Sequence, residues 1–122
     1  MLDHVSLGVS DFAQSRRFYD QALAPLGLRV LMGDETNYGG YGSDRPFFWI
    51  GQAGAAGSQR VHVAFAAPDR PTVEAFYRAA MAAGGRDNGA PGLRPQYHPN
   101  YYGAFVFDPD GNNIEAVCHA PS

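Results

Sequence analysis

Two histidines and one glutamate are the residues of this sequence whose type and spacing could hold a metal. His4 and His62 stand 58 positions apart, and each begins a short alternating run. Val5, Leu7 and Val9 alternate with His4, Ser6 and Gly8; Val61, Val63 and Phe65 alternate with His62, Ala64 and Ala66. Alternation with period two sorts a strand into an apolar face and a second face. Each histidine falls on the second face, among small residues. Near the C-terminus the same parity sets Glu115 and Val117 against the apolar Ile114, Ala116 and Cys118. Glu115 therefore shares the histidines' kind of face, and the chain has only two other glutamates. Two neutral imidazoles and a carboxylate are a common ligand set for a divalent ion, and three protein ligands leave positions open for water and substrate. The competing reading is that the histidines are simply hydrogen-bonded on their strands.

The elements that must bring these residues together are written twice. Residues 4–27 and 62–85 match at eight of 24 positions, including His4/His62, Asp11/Asp69, Phe18/Phe76, Tyr19/Tyr77 and Gly27/Gly85. Shared amphipathicity accounts for the apolar matches but not for the paired His, Asp and Gly, so the pattern reads as an internal duplication. Each strand leads into a helix. Ser10 or Asp11 can cap the first and Asp69 the second, with Pro71 tolerated in its first turn. Ser15, Phe18, Tyr19, Ala22 and Leu23, and Val73, Phe76, Tyr77, Ala80 and Met81, recur at i, i+3, i+4, i+7 and i+8. Gly27 and Gly84-Gly85 supply C-terminal stops. Further strands are expected near Leu28–Met32, Asn37–Tyr41 and Pro46–Gly51, then weakly at Arg86–Asn88, and at Tyr102–Phe107 and Asn113–Cys118. Asp108-Pro109-Asp110-Gly111 is a tight turn. Gly89–Asn100, with three prolines, reads as a loop, and Gly51–Ser58 as the linker. The predicted architecture is α+β: one domain of two tandem βαβββ modules, residues 1–52 and 59–119.

Composition narrows the partners. The 122 residues suit one domain, and neither half is long enough to be stable alone. All nine basic residues are arginine and the net charge is −3, so nucleic acid is not the expected partner and no lysine Schiff base is available. A single cysteine, Cys118, on the apolar face of its strand, points to a buried inert thiol in a reducing compartment. No run of membrane length and no secretory signal are evident, so a cytoplasmic location is expected.

Several stretches resemble the vicinal oxygen chelate superfamily: Asp3-His4-Val5 through Val9-x-Asp11, Phe18-Tyr19, Leu26-Gly27, Val61–Phe65, and above all Asp108-Pro109-Asp110-Gly111-Asn112-Asn113-Ile114-Glu115. This group includes glyoxalase I, methylmalonyl-CoA epimerase, extradiol dioxygenases, fosfomycin thiol transferases and bleomycin-binding proteins. The resemblance implies two βαβββ modules forming an incomplete barrel, commonly in a homodimer. It also implies a divalent metal (Fe, Mn, Ni, Co or Zn) on His4, His62 and Glu115, the residues the alternation picks out. Lyase and epimerase members usually add a carboxylate or Gln on the last strand of the first module. Aligning Pro46–Gly51 with Asn113–Val117 puts Trp49 there instead. That weakens the glyoxalase I reading, whose chemistry needs a carboxylate base. The absence of lysine weakens the fosfomycin reading.

His98, Tyr101 and Tyr102 lie at the expected mouth of the cleft and are the candidates for proton transfer or substrate orientation; aromatic packing is the alternative. Trp49 could stack on a planar ligand or fill space. His119 has Glu115's parity and is a second candidate for substrate contact. The reading is a metal-dependent enzyme of lyase, isomerase or dioxygenase type acting on a small oxygenated substrate. The alternative is a metal-free protein that sequesters an antibiotic-like molecule.

Overall fold

The computed structural model describes residues 2–53 and 60–122. Its elements in chain order are β1 (Val5–Val9), α1 (Phe12–Ala22), a single 3-10 turn (Ala24–Leu26), β2 (Arg29–Gly33), β3 (Tyr38–Gly42) and β4 (Pro46–Gln52). Then come β5 (His62–Ala66), α2 (Arg70–Ala82), β6 (Arg86–Leu93), β7 (Tyr102–Phe107) and β8 (Asn113–Cys118). They form two four-stranded sheets of the same order, β1-β4-β3-β2 and β5-β8-β7-β6. In each sheet the first strand pairs parallel with the last, and the other pairings are antiparallel. This is βαβββ twice over. Each parallel first pair is made possible by the helix that carries the chain back across its own sheet.

Local chemistry explains the helices. Asp11 accepts from the Gln14 amide and Asp69 from that of Thr72, so the aspartates, not Ser10, are the caps. Gly27 at φ 78° and Gly84 at φ 97° take the left-handed conformation that ends a helix cheaply only for glycine. The apolar stripes fall inward as their spacing predicts: Phe18, Tyr19, Ala22 and Leu23 are fully buried, as are Val73, Phe76 and Ala80. They join Val9, Phe48 and Ile50 from the first sheet, and Phe65, Val106 and Ile114 from the second, in a common core. Cys118 is buried in it.

Two expectations are corrected. β4 runs on through Gln52, one residue past the predicted end at Gly51, so Gln52 belongs to a strand rather than to the linker; residues 54–58 of the predicted linker lie outside the described residues. β6 continues to Leu93, five residues past the predicted end at Asn88. Gly89, Pro91 and Gly92 argued for a loop. β6 is an edge strand that tolerates Pro91, and its pairing with β7 shifts register twice, between Asp87 and Gly89 and between Gly89 and Gly92.

The Asp108–Asn112 turn ties the two modules together. Tyr19 of α1 donates its hydroxyl to buried Asp108 Oδ2 at 2.5 Å. The other donors to that carboxylate are the turn's own: the amides of Asp110 and Asn112 and the Asn112 side chain. Asp110 accepts from the Ser10 amide at 3.1 Å, beside the N-terminus of α1, where a negative charge is favoured. Asn112 accepts from the Val61 amide, fixing the start of β5. The motif that most strongly carries the resemblance is therefore a clasp. It sets the register at which Glu115 emerges three residues later.

Candidate functional site

Parallel pairing sets His62 opposite Asn113 and Ala64 opposite Glu115. His62 and Glu115 thus point from neighbouring strands out of the face away from the core. Their side chains meet: His62 Nε2 lies 2.7 Å from Glu115 Oε1. The imidazole is half exposed (52%) and the carboxylate fully buried (0%). Glu115's other oxygen, Oε2, accepts a hydrogen bond from the Tyr101 hydroxyl. Gly103 makes room for this contact, since a Cβ there would stand 3.1 Å from Tyr101 Cε1 and 3.3 Å from Oε2. Burial first, and then the bond to Glu115, push the Tyr101 hydroxyl well above the ordinary tyrosine range, so it stays a donor at any physiological pH.

His119, one residue past the end of β8, packs edge-on against Tyr101, with ring centroids 5.3 Å apart. His98 packs against His119 at 5.7 Å. Its Nδ1 accepts from the Asn100 amide, which assigns the neutral ring's proton to Nε2. Tyr102 departs from the expected grouping. The next residue after Tyr101 and the first of β7, it turns to the helix side, where its hydroxyl donates to Glu74 of α2 and its ring lies under Arg70.

The first module presents a counterpart of different chemistry. The register Ser6 to Trp49 repeats that of Ala64 to Glu115, so Trp49 occupies the position of Glu115. Its indole stacks on Tyr38, with centroids 6.3 Å apart and planes inclined by 23°. Both rings line an open cavity of about 540 Å³ with Asp3, His4, Ser6 and Gln52. Gly40 lets the indole lie flat on β3, because a Cβ there would stand 2.6 Å from Trp49 Cζ3. His4 also lines this cavity, and its Nδ1 bonds Asp3 Oδ1 at 2.8 Å, which leaves Nε2 as the ring nitrogen not engaged by Asp3. Arg45 bonds the other Asp3 oxygen at 2.9 Å. The histidine bond, ahead of the arginine, holds the Asp3 carboxyl below the usual carboxylate range.

Of the three predicted metal ligands, the fold joins two. Among the described residues no three His, Cys, Asp or Glu side chains gather as a metal site, so His4 does not meet His62 and Glu115 within one chain. Sequence reasoning missed Asp3 as the orienting partner of His4, although the adjacent acidic residue was in plain view. It also missed the Tyr38–Trp49 plate, because the sequence pattern gives Tyr38 only a place in a strand.

The family model for the Glyoxalase/Bleomycin resistance protein/Dioxygenase superfamily matches residues 1–116. The chain belongs to this superfamily. Among solved structures, a glyoxalase/bleomycin resistance protein from Albidiferax ferrireducens T118 is 32% identical. It aligns over 97% of this chain and 98% of its own, with a TM-score of 0.78. A glyoxalase-related enzyme from Fulvimarina pelagi is 21% identical over 97% of this chain and 87% of its own, at a TM-score of 0.73. A lactoylglutathione lyase from Agrobacterium tumefaciens is 17% identical over 97% and 92%, at 0.71. At such identities the last two share the fold alone. No curated protein matches the chain. As a superfamily member it has the two-module fold with sheets left open. Among the described residues, no helix is long and apolar enough to cross a membrane.

Proposed function

We propose that this superfamily member is a metal-dependent enzyme of lyase, isomerase or dioxygenase type acting on a small oxygenated substrate. The observation that carries the reading is the His62–Glu115 pair: a half-exposed imidazole and a buried carboxylate, 2.7 Å apart on the outer sheet face. Such a donor pair fits Fe, Mn, Ni, Co or Zn as a divalent ion. Bound there, the ion would act as a Lewis acid on a substrate oxygen. Tyr101 holds the second carboxylate oxygen and so fixes which one faces His62. His98 and His119 stand beside Tyr101, where a substrate's polar groups would meet them.

His4 is the third donor in this proposal, supplied by a second copy of the chain. Its Nδ1 is engaged by Asp3, the arrangement in which a carboxylate orients a ligating imidazole and leaves Nε2 for the metal. Within one chain it does not join the pair, so a homodimer that faces one first module against the other chain's second module would complete the set. Metal analysis tests this. Wild type should take up a divalent ion, and His62→Ala and Glu115→Gln should lose it. Mixing His4→Ala with Glu115→Gln protein should restore binding in mixed dimers. Wild-type protein that takes up none of the five metals would end the proposal.

A second reading rests on Trp49. Where the second module carries a carboxylate, the first carries an indole stacked on Tyr38 over a cavity. That plate favours sequestration of a planar ligand without a metal. Trp49 is the chain's only tryptophan, so quenching of its fluorescence reports such binding directly. Undiminished ligand affinity in Glu115→Gln would favour this reading.

A further inference from the structure

Arg94 is held on the outer face of the second sheet, beside the His62–Glu115 pair, by contacts that leave much of its guanidinium free. Nη1 donates to the Gly92 carbonyl and Nη2 to the Ala90 carbonyl, each at 2.8 Å. The bulged end of β6 aims these carbonyls at the side chain. Gly89 and Gly92 let it lie close, since a Cβ on either would stand 3.1 Å from a guanidinium nitrogen. The charge also lies over the Phe105 ring, with Cζ 5.3 Å from the centroid. Phe105 is the cross-strand partner of Glu115, and its ring centroid is 6.1 Å from that of His62. One phenyl ring therefore bridges Arg94 and the candidate metal ligands. The Arg94 amide donates to the Tyr101 carbonyl at 2.7 Å, so one loop closure positions both residues.

A guanidinium has five N–H donors, and the two carbonyls use one each. Among the described residues no carboxylate forms an ion pair with Arg94. The result is a cation with its fork already oriented and donors to spare, which suits a planar or tetrahedral oxyanion. We propose that Arg94 is an anion-binding residue that selects ligands bearing a carboxylate, phosphate or phosphonate group. The anionic end would dock on Arg94 while the oxygenated end reaches His62 and Glu115. The second half of this statement rests on the metal-site reading; the anion site itself does not.

Two titrations keep those apart. In the first, inorganic phosphate is added to metal-free protein while the Arg94 Nε–H resonance, assigned by its loss in Arg94→Gln, is followed by NMR. A saturable shift that weakens with added NaCl is expected. Arg94→Lys, which keeps the charge but loses the fork, should bind phosphate more weakly than wild type. No saturable shift, or the same phosphate affinity in Arg94→Gln as in wild type, overturns the anion site. In the second, Ni²⁺-loaded protein is titrated with succinohydroxamate, which carries a carboxylate, and with neutral butyrohydroxamate. Wild type should favour the first by roughly tenfold to a hundredfold, the range of a charge-assisted hydrogen bond. In Arg94→Gln that ratio should fall to near unity while Ni²⁺ affinity stays unchanged. An unchanged ratio overturns the role in ligand selection. If Ni²⁺ does not bind, the same titration is run with whichever of Fe, Mn, Co or Zn does; if none of the five binds, the metal reading fails and the phosphate titration alone decides the anion site.

Discussion

Replacing Tyr19 by phenylalanine removes one oxygen and nothing else. The hydroxyl donates at 2.5 Å to Asp108 Oδ2, and both side chains are buried. Phenylalanine fills nearly the same volume, so no cavity term enters. What is lost is a hydrogen bond to a charged acceptor, worth about 1.5–3 kcal/mol. The other donors to the carboxylate all come from its own turn, so no neighbour can replace the tyrosine without moving α1. With a urea m-value of roughly 1–3 kcal/mol/M for a small domain, the midpoint should fall by about 1 M at unchanged m. The duplication supplies an internal control. Tyr77 occupies the same position in the second copy, but its hydroxyl meets Asp87 at 3.0 Å on the surface. Tyr77→Phe should leave the midpoint within experimental scatter. Equal effects from the two substitutions, or a Tyr19→Phe loss below about 0.5 kcal/mol, would refute the clasp as a source of stability.

Gly40→Ala puts a methyl 2.6 Å from the indole, so the ring must lift from β3. Altered Trp49 emission and weaker quenching by planar ligands should follow, while far-ultraviolet circular dichroism stays native; an unchanged spectrum would contradict the stacked geometry. Alkaline pH tests the buried tyrosines. Burial first, then the nearby Asp108 charge, pushes Tyr19 well above the ordinary value, and burial with Asp20 does the same for Tyr41. Hydroxyls kept neutral by the fold contribute stability that is complete below the unfolded value of about 10 and is lost as pH rises through the folded one. Tyrosinate absorbance from this pair should therefore appear together with loss of circular dichroism. Ionisation of all seven tyrosines near pH 10 in a still-folded chain would show the burial to be wrong.

The fold was legible because its signals are local and repeated. An aspartate before each helix, two stripes at helical spacing and a glycine after each all act within a few residues, and duplication let each copy check the other. Parity alone placed Glu115 and His62 on the same kind of face. β6 was misread for a physical reason: Gly89, Pro91 and Gly92 argue against a regular strand, and only its place at the sheet edge makes them tolerable. Tyr102 shows the limit at the site. The segment 98–102 looked like one cluster of polar aromatics, yet one step along the chain separates a residue that touches Glu115 from one that touches Glu74. Arg94 gave no local signal, because its donors are set by bulges in the strand that the sequence hid.

The clasp also has a consequence in time. Tyr19 and Asp108 are 89 residues apart, and the acceptor lies in the last hairpin of the chain. At synthesis rates of about 5–20 residues per second, α1 leaves the ribosome roughly 4–18 seconds before its partner carboxylate. Throughout that interval the first module can form its strands and helix but has no acceptor for the hydroxyl its core must bury. Completion of the fold is thus timed by its final hairpin. A nascent chain stalled before residue 108 should remain a ready substrate for proteases and chaperones, however complete its first half.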